Sequence, residues 1–140
     1  MQTLLSYLND SLLFRNFLEV ITGLDNTLLL LVISLPIGFV LSLLFALGRV
    51  SKNKFISKPI ASYIFVIRGT PLLVQIYLIY FGLGSIEFIR ESFLWYLLRE
   101  PFWCGVLALT INTVAYGSEI VRGGIQSVTK GQIESGLSLG

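Results

Sequence analysis

The run NTLLLLVISLPIGFVLSLLFALG, residues 26–48, decides the architecture: 23 residues separate Asp25 from Arg49 and none carries a formal charge. A bilayer core about 30 Å thick takes about 20 helical residues to cross, so a transmembrane helix is expected over residues 24–48, with Pro36 and Gly38 marking a bend in it. Two further runs read the same way. Residues 59–84 are interrupted only by Arg68, and residues 101–121 are uncharged as far as Ser118. The last run holds Thr110, Asn112, Thr113 and Ser118, a polarity that fits a helix facing its bundle rather than lipid.

Composition agrees with this reading. Of 140 residues, 54% are hydrophobic and 13% charged, with a mean hydropathy of +0.81; a soluble domain carries about 25% charged residues. A small soluble globule cannot be clothed with so little charge. The chain has no histidine, which removes serine–histidine triads, histidine bases and the usual zinc sites. A lone Cys104 in apolar surroundings is expected to pack rather than react. The net charge of +2 gives no case for nucleic acid, and neither a metal nor a cofactor is expected.

Upstream of the first span, Leu4, Leu8, Leu12, Phe14, Phe17, Leu18 and Ile21 recur at helical spacings, so an interfacial helix along the membrane surface is expected. A cleaved signal peptide fits badly, since no basic flank precedes the hydrophobic stretch and no small-residue cleavage site follows it. The short loops set the orientation. Arg49, Lys52, Lys54 and Lys58 follow the first span, and Arg122 and Lys130 follow the third; Arg15, Arg90 and Arg99 lie on the opposite side. Loop 49–58 and segment 128–140 are therefore expected in the cytoplasm, with the N-terminus and loop 85–100 outside. The basic cluster reads as a topology signal or, alternatively, as a lipid-binding patch. Phe93, Trp95 and Tyr96 in the outer loop read as headgroup anchors, or as a docking face for a partner.

Three constellations are candidates for function. In Arg68-Gly69-Thr70-Pro71, the proline cannot donate to the Ile67 carbonyl, which leaves that acceptor free for another group. Either a hinge beside an intramembrane charge, or a helix start displaced inward, would explain the stretch. Asn112, Tyr116 and Glu119 share one helix face. An intramembrane acid is a candidate ligand group, whereas Arg122 at i+3 offers a purely structural partner, and Asn112 can tie helices together as readily as it binds substrate. Lastly, Thr129 and Gln132 form a capping box, so a short helix is expected there, with Ser135, Gly136 and Ser138 leaving a smooth surface for another protein or for the helix's own bundle.

These residues carry a resemblance. Glu134-Ser135-Gly136, with Gly140 beyond, resembles the beginning of the acidic-alanine-alanine coupling loop of membrane subunits in bacterial ABC-type importers. Arg68-Gly69-Thr70-Pro71-Leu72-Leu73-Val74-Gln75, and Leu109 to Tyr116 followed by Glu119-Ile120, are similar to the signatures of the polar amino acid permeases. Residues 48–55 and 100–104 are similar to the branch serving histidine, lysine, ornithine and arginine. The resemblance implies an all-α integral membrane protein: three transmembrane helices of a type I importer permease, an interfacial helix and the start of a coupling helix.

It further implies a non-enzymatic permease subunit in the bacterial cytoplasmic membrane. Its implied partners are a cytoplasmic ATP-binding subunit, an extracytoplasmic amino acid-binding protein, a second permease subunit and membrane lipid. Arg68, Thr70, Gln75, Asn112 and Glu119 would line the substrate passage, and Gly131, Glu134, Ser135, Gly136 and Gly140 would serve ATPase coupling. Ser135 and Gly136 replace the two alanines of the pattern and stay small. Family members continue through two further spans, so residues 1–140 are expected to be an incomplete single permease domain. No phosphate-binding glycine loop is present, so ATP is expected on a partner. Two other readings are an ion-coupled carrier using Glu119 and a non-transporting membrane assembly subunit.

Overall fold

The computed structural model describes residues 2–139, with side chains described at 12, 15–17 and 19–139. Gly140 and the side chains of Leu4, Leu8, Phe14 and Leu18 lie outside the described residues. The described chain is helical without strands. It comprises α1 (Gln2–Val50), α2 (Lys54–Arg68), α3 (Leu72–Tyr77), a π-helical stretch (Leu78–Gly82) and α4 (Leu83–Ser85), followed by α5 (Glu87–Arg90), α6 (Leu94–Leu98), α7 (Pro101–Ser127) and α8 (Lys130–Ser138). The chain divides into residues 1–32 and 33–140.

Within residues 1–32 the expected separate interfacial helix is instead part of α1. No proline lies in this stretch, and the hydroxyls of Thr22 and Thr27 donate to the carbonyls of Glu19 and Gly23, so these polar residues are absorbed by the helix rather than breaking it. Leu12, Phe17 and Ile21 are exposed.

Residues 33–140 are organised by a seam of small side chains. Ser34, Gly38, Ser42 and Ala46 recur every fourth residue on α1 and are all buried. A Cβ at Gly38 would lie 2.7 Å from Thr113 of α7, and one at Gly117 of α7 would lie 2.9 Å from Ser42. Between helices in lipid, where burial of apolar surface gives no drive, such close backbone approach supplies the van der Waals contact that holds them. Tyr63 ties α2 to α7 by donating its hydroxyl to the Ile111 carbonyl at 2.7 Å, and its ring meets Phe45 of α1. Cys104 is buried, and its thiol donates to the Leu98 carbonyl.

Two boundaries differ from expectation. The loop expected at 49–58 contracts to residues 51–53, because Asn53 caps α2 by accepting from the Phe55 N–H, five residues ahead of the expected start. Pro59 sits inside α2, where the lost bond would have gone to the first-turn carbonyl of Phe55. The second span bends where Arg68-Gly69-Thr70-Pro71 was read as a candidate hinge: α2 and the 72–85 segment are bent by 105°. α1 and α7 are each long and apolar enough to cross a membrane, and the bent pair makes a third span if it crosses as one unit.

Candidate functional site

The bend creates the site. Pro71 leaves α2 with carbonyls that the next turn cannot satisfy, and the chain accounts for them one by one. Gly69 N–H donates to Phe65 O at 3.0 Å, Thr70 Oγ1 to Val66 O at 3.0 Å, and Gln75 Nε2 to Ile67 O at 2.7 Å. Gln75 Nε2 also lies 3.1 Å from Thr70 O and 2.9 Å from Thr70 Oγ1, while Gln75 Oε1 accepts from Asn112 Nδ2 of α7 at 3.3 Å. Thus the acceptor that proline frees at Ile67 is shared by the Thr70 N–H and Oγ1, at 3.4 and 3.3 Å, and at 2.7 Å by a side chain two turns downstream.

Just before the break, Arg68 extends over the ring of Tyr116, its guanidinium carbon 5.2 Å from the ring centroid, within cation–π range. Together with Arg49, Ala61, Ile64, Phe65, Gly69 and Glu119 they wall a cavity of about 410 Å³. Glu119 is engaged on both oxygens by Arg122, with Nε at 3.0 Å from each and Nη2 at 2.7 Å from Oε2. Arg49 Nε stands 3.8 Å away on the other side, sealed from solvent and without a hydrogen bond. Two guanidiniums, those of Arg122 and Arg49, therefore flank one carboxylate, and Arg68, on the same cavity wall, has no carboxylate within 4 Å among the described residues. The cavity favours anionic groups, with a single acidic spot in its wall.

The expected passage residues separate into two sets. Arg68 and Glu119 reach the cavity. Thr70, Gln75 and Asn112 are spent on the bend, with Gln75 buried to 6% exposure. Glu119 forms the structural pair with Arg122 and also lines the cavity. Arg49 was legible only as a topology charge; its inward turn depends on Ser57, which donates to the Arg49 carbonyl at 3.0 Å and lies 3.4 Å from its Nη1. Tyr116 shares the Asn112–Glu119 face, and that spacing was the signal for it.

At the C-terminal end, α8 carries the expected capping box: Gln132 N–H donates to Thr129 Oγ1, and Thr129 N–H to Gln132 Oε1. Gly131, Glu134, Ser135 and Gly136 lie on it, and residues 130–139 are all exposed. A Cβ at Gly131 or Gly136 would meet nothing within 4 Å. The helix therefore does not rest on its own bundle. Among the described residues no group of three or more Cys, Asp or Glu gathers as a metal site would require.

Comparison with known proteins extends the picture. The family described as binding-protein-dependent transport system inner membrane component matches residues 14–140. The chain belongs to this family. Among the family's relatives, the octopine transport system permease protein of Rhizobium meliloti is 47% identical over 128 residues, covering 91% of this chain and 52% of that one. The histidine/lysine/arginine/ornithine transport system permease protein of Escherichia coli is 46% identical over 120 residues, covering 85% and 50%. A solved structure described as an amino acid ABC transporter with histidines superposes with a TM-score of 0.73 at 42% identity, over 91% of this chain and 56% of that one. The helical fold is thus that of a type I importer permease, and the chain spans about half the length of the curated relatives it matches.

Proposed function

We propose that the chain is the membrane-spanning part of an ATP-driven importer of polar amino acids, basic ones among them. The observation that carries this is the charged cavity at the α2–α3 break, a built polar site inside an apolar bundle. A free amino acid brings a carboxylate suited to the unpaired Arg68 guanidinium, and a basic side chain finds in Glu119 the one carboxylate near enough to compensate it. The names of the relatives, which concern octopine and basic amino acids, support the same substrate class.

In this reading the permease performs no chemistry. It offers the cavity alternately to each side of the cytoplasmic membrane, while a partner subunit hydrolyses ATP, a binding protein delivers substrate outside and a second permease copy or relative completes the pore. The 51–53 turn and α8 face the cytoplasm and the N-terminus lies outside, in accord with six Lys and Arg residues flanking the inner side against three on the outer. The exposed, capped α8 is the docking element for the ATPase: Ser135 and Gly136 allow close approach, and the Thr129 cap holds its attitude.

The test is made in a full-length permease with its ATPase. Gly136→Trp should abolish co-purification in detergent while leaving membrane insertion intact, and Glu134→Ala should lower substrate-stimulated ATP hydrolysis with the complex still assembled. Unchanged association and unchanged hydrolysis in both variants would remove the mechanical link on which the proposal depends.

A further inference from the structure

Gln75 is a buried amide that contributes nothing to the walls of the charged cavity, yet all of its polar atoms are used. It stands one turn into α3, and side chains on a helix lean back toward its N-terminus, which aims this amide at the Gly69–Pro71 break. One nitrogen there serves two main-chain carbonyls: Thr70 O, and Ile67 O, to which it is the closest donor, the Thr70 N–H and Oγ1 lying farther off at 3.4 and 3.3 Å. The oxygen of the same amide reaches Asn112 on α7. Leucine at this position would fill the volume and donate nothing. Glutamate would set a charged oxygen against two carbonyls unless it were protonated.

We propose that Gln75 is the positioning residue of this site: its amide fixes the bend between α2 and α3 and thereby holds Arg68 over Tyr116 at the cavity. The Ile67 carbonyl that Gln75 binds immediately precedes Arg68 in the chain, so the hydrogen bond sets the last turn from which the guanidinium projects. Asn112 orients Gln75 from α7 but is the secondary member, since the two carbonyl contacts survive without it. The link to transport rests on the importer reading, whereas the bend does not.

The experiment uses the full-length permease in lipid nanodiscs, in a Cys104→Ala background, with spin labels on cysteines at Phe55 and Phe81, both exposed. A straight helix between those positions would separate them by about 39 Å; the bent chain gives a single, much shorter distance. Gln75→Leu should broaden and lengthen the distribution. Gln75→Glu should do so as well, since a carboxylate only accepts and even a protonated carboxyl donates one hydrogen where the amide donates two. Asn112→Ala should keep the wild-type distance. An unchanged distribution in Gln75→Leu, or an equal shift in Asn112→Ala, would overturn the proposal.

Uptake is then measured with the ATPase and binding protein present, where Gln75→Leu should lower it by at least about tenfold. An opened bend with unaltered uptake would overturn the positioning role. A wild-type chain that shows the bend and its response to substitution, but moves no amino acid with ATP, would refute the importer reading and leave the bend assignment standing.

Discussion

Replacing Glu119 by glutamine removes the one carboxylate that lines the cavity, flanked by the guanidiniums of Arg122 and Arg49, at almost constant shape. Two consequences follow from the geometry. The first is structural. The carboxylate is 18% exposed, Arg122 27% and Arg49 34%, so the cluster lies between exposed pairs, worth about 0–1 kcal/mol, and buried ones, whose breaking costs about 3–5 kcal/mol. A loss of about 2 kcal/mol is expected, felt equally by every substrate. The second is selective. At an effective dielectric near 20, a unit charge about 8 Å from the cationic end of a bound basic amino acid is worth about 2 kcal/mol, roughly a thirtyfold ratio. Competitive uptake of labelled arginine against a labelled neutral amino acid, in proteoliposomes holding the complete transporter, isolates the second effect because the first cancels. The Glu119→Gln variant should lower the arginine-to-neutral ratio by roughly thirtyfold, and Arg122→Gln, which frees Glu119, should raise it. Equal losses for both substrates would refute the reasoning and leave Glu119 a structural partner of Arg122 alone.

Gly38→Ala should destabilise the α1–α7 seam by about 1–3 kcal/mol, because its Cβ would meet Thr113 at 2.7 Å, whereas Gly123→Ala on α7, with nothing within 4 Å, should be neutral or stabilising; thermal melts of the purified permease distinguish them. For topology, a cysteine at the exposed Ser85 should react with an impermeant thiol reagent from outside, and one at the exposed Asn53 should not, with buried Cys104 silent in both; the reverse pattern would move α8 away from any cytoplasmic ATPase.

What could be read from residues alone was what depends on short-range rules. The uncharged run before Arg49, the Thr129–Gln132 box and the acceptor freed by Pro71 at Ile67 each follow from spacing or from the chemistry of one residue type. What escaped depends on the third dimension. Pro71 announced a break but not its 105° angle, which requires Gln75 to reach back across the turn. Pro59 looked like a helix start because proline suits that place, yet Asn53 had already capped the helix and an interior proline near a first turn costs little. The separate interfacial helix expected upstream of the first span is part of α1, where Thr22 and Thr27 bond back to their own helix. Arg49 counted as a loop charge until Ser57 turned it toward Glu119. The small-residue period of Ser34, Gly38, Ser42 and Ala46 was present in the sequence, but its meaning came only with α7 alongside it.

Movement of substrate through the charged cavity under the control of a separate ATPase is put to the test by reconstituting the full-length permease with its ATP-binding subunit and binding protein in sealed proteoliposomes, and following arginine accumulation with ATP and ion gradients varied independently. Accumulation should require ATP, persist when ionophores collapse every gradient and be lost in Arg68→Ala. Accumulation that follows an ion gradient and ignores ATP would contradict it.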